Sequence, residues 1–154
     1  MATEIERKFL VAGDGWRSQV EASIAIRQAY LSLTDAMSIR VRIVDDAKAL
    51  LTIKSAQPGP TRSEFEYAIP VEDAQRLLEL RTGLVIEKRR YHVPEGPLMW
   101  EIDVFEGAHK GLVIAEIELP DAATPFARPD WLGREVTDDA RYYNARLATI
   151  RVDD

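Results

Sequence analysis

Polar and apolar residues alternate with period two along most of this chain, and the polar positions are sorted by sign of charge. In a β-strand, residues i and i+2 share a face. The acid-x-acid pairs Glu4/Glu6, Glu64/Glu66, Glu101/Asp103 and Glu116/Glu118 therefore each set two carboxylates side by side. At about 6–7 Å separation and an effective dielectric near 20, an ionised pair repels by roughly 2–3 kcal/mol. Rotation and solvent relieve part of this, but four repeats imply nearby cations. The chain supplies them on the same kind of face: Lys8, Arg40/Arg42, Lys54 and Lys88/Arg90.

The alternation predicts eight strands, over 2–11, 25–33, 38–44, 49–55, 62–69, 84–93, 98–105 and 112–119. Turn signals separate several of them, among them Gln57-Pro58-Gly59-Pro60, Pro94-Glu95-Gly96-Pro97 and the Gly107–Gly111 segment. Helical spacing is confined to 71–81 after Pro70, a short stretch near 16–22, and 138–149, where Asp138 or Asp139 can cap the N-terminus. The segment 120–131 carries Pro120, Pro125 and Pro129 and is expected to wrap across an edge.

Eight such strands can stack as a sandwich or close into a barrel. A sandwich with apolar faces inside leaves the charges simply wet. Sign-sorted pairs fit the inverse arrangement better, with apolar outer faces under helices and charges lining an interior tunnel. Such a lining is tolerable only if its charges are paired, hydrated or bound to ions. The expected class is therefore α+β, mainly β: a closed, eight-stranded antiparallel barrel with peripheral helices.

Composition narrows the possibilities. At 154 residues, with no linker or internal repeat, the chain reads as a single domain over 1–154. A net charge of −6 argues against general nucleic-acid binding. With no cysteine there is no disulfide framework, thiolate ligand or thiol nucleophile. No apolar run approaches a membrane span and the start lacks a signal-peptide core, so the expected location is cytoplasmic.

The lining positions sum to eight acids and six bases. Oxygen ligands without cysteine or clustered histidine select hard cations such as Mg²⁺, Mn²⁺ or Ca²⁺. Arginine forks and lysine point charges suit phosphate oxygens. Acids for metal beside bases for phosphate is the division of labour of metal-assisted phosphoryl transfer. His92 falls at a strand end and reads as a rim residue, His109 as a solvated loop residue, and Arg62 as a neutraliser of the acidic pair after it. Trp16, Trp100 and Trp131 read as packing residues.

Glu4-Ile5-Glu6-Arg7-Lys8 resembles the E-x-E-x-K signature of the CYTH superfamily, the triphosphate tunnel metalloenzymes. Gln28-Ala29-Tyr30-Leu31, Ile39-Arg40-Val41-Arg42, Thr52-Ile53-Lys54, Arg62-Ser63-Glu64-Phe65-Glu66 and Glu87-Lys88-Arg89-Arg90-Tyr91 are similar to that family's successive strands. Trp100–Phe105, Ala115–Leu119 and Glu135-Val136-Thr137, with Tyr142 and Asn144, carry the likeness to the C-terminal helix.

The resemblance implies a triphosphate tunnel holding one or two Mg²⁺ or Mn²⁺ ions. Lys8, Arg40, Arg42, Lys54, Lys88 and Arg90 are then expected on phosphate oxygens. Tyr30 is grouped with the substrate-binding positions, filling the tunnel wall being the equal alternative. Glu4, Glu6, Glu116 and Glu118, with Glu64, Glu66 and Asp103, are expected around metal ions or the attacking water. The reacting centre is expected at Glu4, Glu6, Lys8 and Lys88.

The implied activity is metal-dependent hydrolysis of inorganic tripolyphosphate or a nucleoside triphosphate such as ATP. Alternatives are a class IV-type adenylyl cyclase or a thiamine triphosphatase, and, outside catalysis, a polyphosphate- or nucleotide-binding module. A homodimer is left open.

Overall fold

The computed structural model describes residues 5–55 and 63–149, so Glu4, Arg62 and the expected turn at Gln57–Pro60 lie outside the described residues. Strands β1 (Ile5–Val11), β2 (Ala22–Leu33), β3 (Met37–Val44), β4 (Lys48–Ser55), β5 (Glu64–Ile69), β6 (Thr82–Glu95), β7 (Leu98–Glu106), β8 (Val113–Leu119) and β9 (Leu132–Glu135) form one sheet. Its order is β5-β4-β3-β2-β6-β7-β8-β1-β9, and neighbouring strands run antiparallel. Helices are few: α1 (Val71–Glu79), α2 (Asn144–Leu147) and short 3₁₀ turns at Gly15–Gln19, Gly107–His109 and Ala140–Tyr142.

Each of the eight expected strands is present. The sheet differs from the expected closed barrel in two respects. A ninth strand, β9, adds to the edge of β1, and the edge strands β5 and β9 are not hydrogen-bonded to each other. Four residues are too short to display alternation, so β9 left no period-two signal. Its place is made by tertiary contacts: Ala12 N–H donates to Trp131 O at 2.7 Å and Val136 N–H to Lys8 O at 2.8 Å. Gly133 permits the approach, because a Cβ there would meet Leu10 O at 2.8 Å.

The apolar strand faces point outward under a cover. Phe9, Trp100, Ile102, Ala115, Ile117 and Leu119 form one buried cluster with Trp16 and Trp131. The proline-rich connection contributes Phe126, whose ring meets Phe9 and Trp100 edge-on. All three tryptophans pack, as expected. A second outer cluster, built from Ala29, Val41, Ile43 and Ala49, lies under Ala74 and Leu78 of α1. That helix follows Pro70 and carries Glu72 and Asp73 in its first turn, where carboxylates complement the positive end of the helix dipole.

The remaining strand faces make the lining. Its charged stretch gives way at one end to an apolar cluster of Tyr30, Ile86, Phe105 and Ile114, against which Leu147 of α2 and Ala148 pack. The end of α2 is tied to the start of β6, where Leu84 N–H donates to Ala148 O at 2.7 Å. His109 belongs to this packing. It is 0% exposed and its Nε2 lies 2.6 Å from Leu147 O, so the expectation of a solvated loop histidine is wrong. The flanking glycines suggested a loose loop, but a 3₁₀ turn folds the ring inward against Phe105.

Candidate active site

Register across the sheet decides which lining residues meet. On the β1–β8 pair, Lys8 lies opposite Glu116 and Glu6 opposite Glu118. Lys8 is only 8% exposed. Its Nζ stands 3.4 Å from Glu116 Oε1, donates to Tyr142 O at 3.2 Å and lies 5.4 Å from the centre of the Tyr143 ring. Its backbone is held as well, Lys8 N–H donating to Thr137 Oγ1 at 3.0 Å. Partial desolvation, a hydrogen bond with Glu116 and that group's charge raise the Glu6 carboxyl to about 7.

Glu101 lies opposite Glu116 on the next pair, β7–β8, and Asp103 opposite Arg90 on β6–β7. Asp103 is 2% exposed. Its oxygens accept from Lys88 Nζ at 2.7 Å, Arg90 Nε at 2.8 Å and Arg90 Nη2 at 3.0 Å. Arg90 also reaches Glu101 at 3.1 Å. Burial alone would raise the Asp103 carboxyl, but Lys88 and Arg90 outweigh it and hold it at about 2. Burial lowers the Lys88 ammonium. Burial also works against the Arg90 charge, yet hydrogen bonding to Asp103 keeps Arg90 above its ordinary pKa.

The other half of the lining is built by β2–β5. Arg40 lies opposite Tyr30 and Arg42 opposite Gln28. Arg42 Nε donates to Gln28 Oε1 at 2.7 Å, and burial, then Arg40 and Arg90, lower its pKa to about 10. Arg40 Nε is buried and has no hydrogen-bond partner among the described residues. Thr52 Oγ1 donates to Glu66 Oε2 at 3.2 Å, and Lys54 lies 3.9 Å from Glu64, both side chains about half exposed.

The structure thus sorts the expected carboxylates into three groups. Glu6, Glu116 and Glu118 belong to the β1–β8 pairing beside Lys8. Asp103 is engaged by Lys88 and Arg90. Glu64 and Glu66 lie on the edge strand beside Lys54 and Thr52. Among the described residues, no three Asp, Glu or His side chains gather tightly enough to be a ready-made metal cage. The crowding of Glu6 against Glu116 nevertheless fits a divalent cation, since metal can replace the proton that relieves two close carboxylates.

Tyr30 is 7% exposed and packs in the apolar cluster under α2, so it fills the wall. His92 sits at the rim as expected, its Nε2 3.7 Å from Glu101. Three participants, Gln28, Thr137 and Tyr142, enter the sequence reading only within stretches that carry the family resemblance, with no role assigned to them. Tyr142 and Thr137 contact Lys8 through a carbonyl and a hydroxyl, for which no spacing rule exists.

A tunnel-like antiparallel sheet with sorted acids and bases on its inner face matches the fold of the triphosphate tunnel enzymes. The chain belongs to the CYTH domain family, whose profile matches residues 2–145. It is 47% identical over 148 residues to an inorganic triphosphatase of Acetivibrio thermocellus, covering 96% of this chain and 94% of that protein. It is 41% identical over 153 residues to an inorganic triphosphatase of Nitrosomonas europaea, covering 95% and 97%. A crystal structure of an inorganic triphosphatase superposes with a TM-score of 0.74 at 38% identity, covering 96% of this chain and 95% of that one.

Proposed function

We propose that this protein hydrolyses inorganic triphosphate to orthophosphate and pyrophosphate within the charged lining, with Mg²⁺ or Mn²⁺ held by carboxylates. The observation that carries the reading is Glu116, which faces Lys8 at 3.4 Å and helps raise the Glu6 carboxyl. One strand pairing thereby holds an ammonium for phosphate and crowded carboxylates for a cation. The inorganic triphosphatase relatives, matched over nearly the whole chain, support the same substrate class.

Glu6 and Glu116 are the carboxylates best placed to hold the cation, with Glu118 and Glu4 beside them in the chain. A divalent cation there would neutralise phosphate charge and polarise the phosphoryl group. Lys8 donates to the terminal phosphate. Arg40, Arg42 and Lys54 on one side, and Lys88 and Arg90 on the other, take the remaining oxygens and stabilise charge on the leaving pyrophosphate. A carboxylate of the β1–β8 group accepts a proton from the attacking water, which adds in line to the terminal phosphorus. No covalent intermediate with the chain is required.

Asp103 takes a different part in this reading from the metal ligand expected of it. It holds Lys88 and Arg90 in place, while Glu64 and Glu66 set the charge at the β5 edge.

A product-resolved comparison tests the proposal: tripolyphosphate, ATP and thiamine triphosphate, each with Mg²⁺, Mn²⁺ or Ca²⁺. Orthophosphate and pyrophosphate released fastest from tripolyphosphate is the expected result. Cyclic AMP with pyrophosphate from ATP, or faster turnover of thiamine triphosphate, overturns it.

A further inference from the structure

We infer that Gln28 is a positioning residue for anion capture, aiming the Arg42 guanidinium without cancelling its charge. The inference rests on the triphosphate reading and specifies how one side of the lining is kept ready for the substrate.

Gln28 is 0% exposed and lies directly across the β2–β3 ladder from Arg42. Its Oε1 accepts the Arg42 Nε–H at 2.7 Å. A guanidinium has donors only, so the amide must turn its oxygen toward Arg42 and its nitrogen away. That nitrogen, Nε2, is buried and has no hydrogen-bond partner among the described residues. The chain therefore keeps an amide where one of its two polar ends goes unused.

Arg90, on the strand at the other side of β2, is held differently. Two acids compensate it, Asp103 at 2.8 Å and Glu101 at 3.1 Å. Among the described residues Arg42 has no ion-pair partner, and its hydrogen bond goes to the neutral Gln28. Burial, Arg40 and Arg90 all disfavour its charge. A glutamate at position 28 would match the shape of the amide and relieve that cost in the free protein, but it would also discharge the guanidinium before a polyanion arrived. The amide fixes direction and leaves the charge for the ligand, and Arg40, on the same strand face two residues away, likewise keeps a buried Nε with no hydrogen-bond partner among the described residues.

The test compares Gln28→Glu and Gln28→Met in the wild-type and Arg42→Lys backgrounds. Two quantities are read: calorimetric Kd for tripolyphosphate with EDTA present, and KM and kcat for tripolyphosphate with Mg²⁺. Gln28→Glu is expected to raise Kd and KM about tenfold, the scale of one charge-assisted hydrogen bond, while kcat changes much less. Gln28→Met, which keeps length and removes the acceptor, is expected to weaken binding in the same direction. The Gln28→Met penalty should largely vanish with Arg42→Lys, because lysine has no Nε donor, whereas the Gln28→Glu penalty should persist because a glutamate compensates either cation.

Wild-type affinity in a folded Gln28→Glu protein, or an equal Gln28→Met penalty in both backgrounds, overturns the inference. Should Gln28→Met fold poorly by circular dichroism, the near-isosteric Gln28→Glu decides. The triphosphatase reading fails separately, through absent wild-type turnover of tripolyphosphate, while the metal-free binding comparison still judges Gln28.

Discussion

Lys88 Nζ and Asp103 Oδ2 stand 2.7 Å apart with side chains 1% and 3% exposed, joining β6 to β7 through a buried ion pair. Arg90 completes the group, its Nε donating to Oδ1 and its Nη2 to Oδ2. Desolvating these charges costs much of what their attraction returns, so the group is worth more for placing two cations than for stability.

Removing its acid is a different matter. Asp103→Asn leaves Lys88 and Arg90 buried against a neutral amide, a loss expected to cost about 3–5 kcal/mol. Thermal denaturation reads it, and excess tripolyphosphate should raise the variant's Tm more than the wild type's by supplying the missing negative charge. The pH dependence has a definite sign. Asp103 is held at about 2 when folded, below the ordinary value of about 3.9. Its contribution is present above that ordinary value and is lost as pH falls toward 2, so Asp103→Asn should flatten the acid limb of the stability profile.

Glu6 behaves in the opposite sense. Its folded value of about 7 lies above the ordinary glutamate range, so the metal-free fold gains from its proton at low pH. That gain is lost as pH rises through about 7. Metal-free protein is therefore expected to melt lower at pH 8 than at pH 6, with Mg²⁺ or Mn²⁺ restoring the difference. Glu116→Gln removes the charge that helps raise Glu6 and should weaken both the pH effect and the metal rescue, measured by melting with and without each ion.

Lys8 touches Glu116, Tyr142 and the Tyr143 ring from a nearly buried position. Lys8→Ala is expected to lower kcat/KM for tripolyphosphate by about 10²–10³, the scale of losing one preorganised charge donor in a site of low dielectric. Steady-state kinetics on protein of native circular dichroism checks this. Undiminished turnover would remove Lys8 from phosphate binding.

Gly83 has φ +75°, and a Cβ there would collide with Ala148 O. Gly83→Ala must strain the backbone and displace the end of α2, at a cost of about 2–4 kcal/mol. Urea denaturation measures the cost, and faster proteolysis within 140–149 is expected to accompany it.

The strands were legible because period-two alternation is local, and β1–β8 each show it. The hidden strand β9 was not, since Leu132–Glu135 owes its conformation to Leu10, Ala12 and Lys8 rather than to its own pattern. The turn between β3 and β4 follows from the gap between the strands expected at 38–44 and 49–55, but its backbone conformation does not. Asp45 and Asp46 take φ of +54° and +51° where glycine would have announced a turn, and Asp45 Oδ1 accepts the Ala25 N–H at 2.7 Å. His109 was misread because its flanking glycines describe backbone freedom and say nothing of what the ring packs against.

At the site, composition and strand faces were enough to place acids and bases on one lining, because side-chain direction in a strand follows from sequence parity. Which acid meets which base was decided only by register, between the consecutive strands β6 and β7 or β2 and β3, and between β1 and β8, which are far apart in the chain. Register left Asp103 with Lys88 and Arg90, Glu116 with Lys8 and Glu6, and a neutral glutamine opposite Arg42. Charge pairing acts over a few ångströms, and those distances do not exist until the sheet has formed.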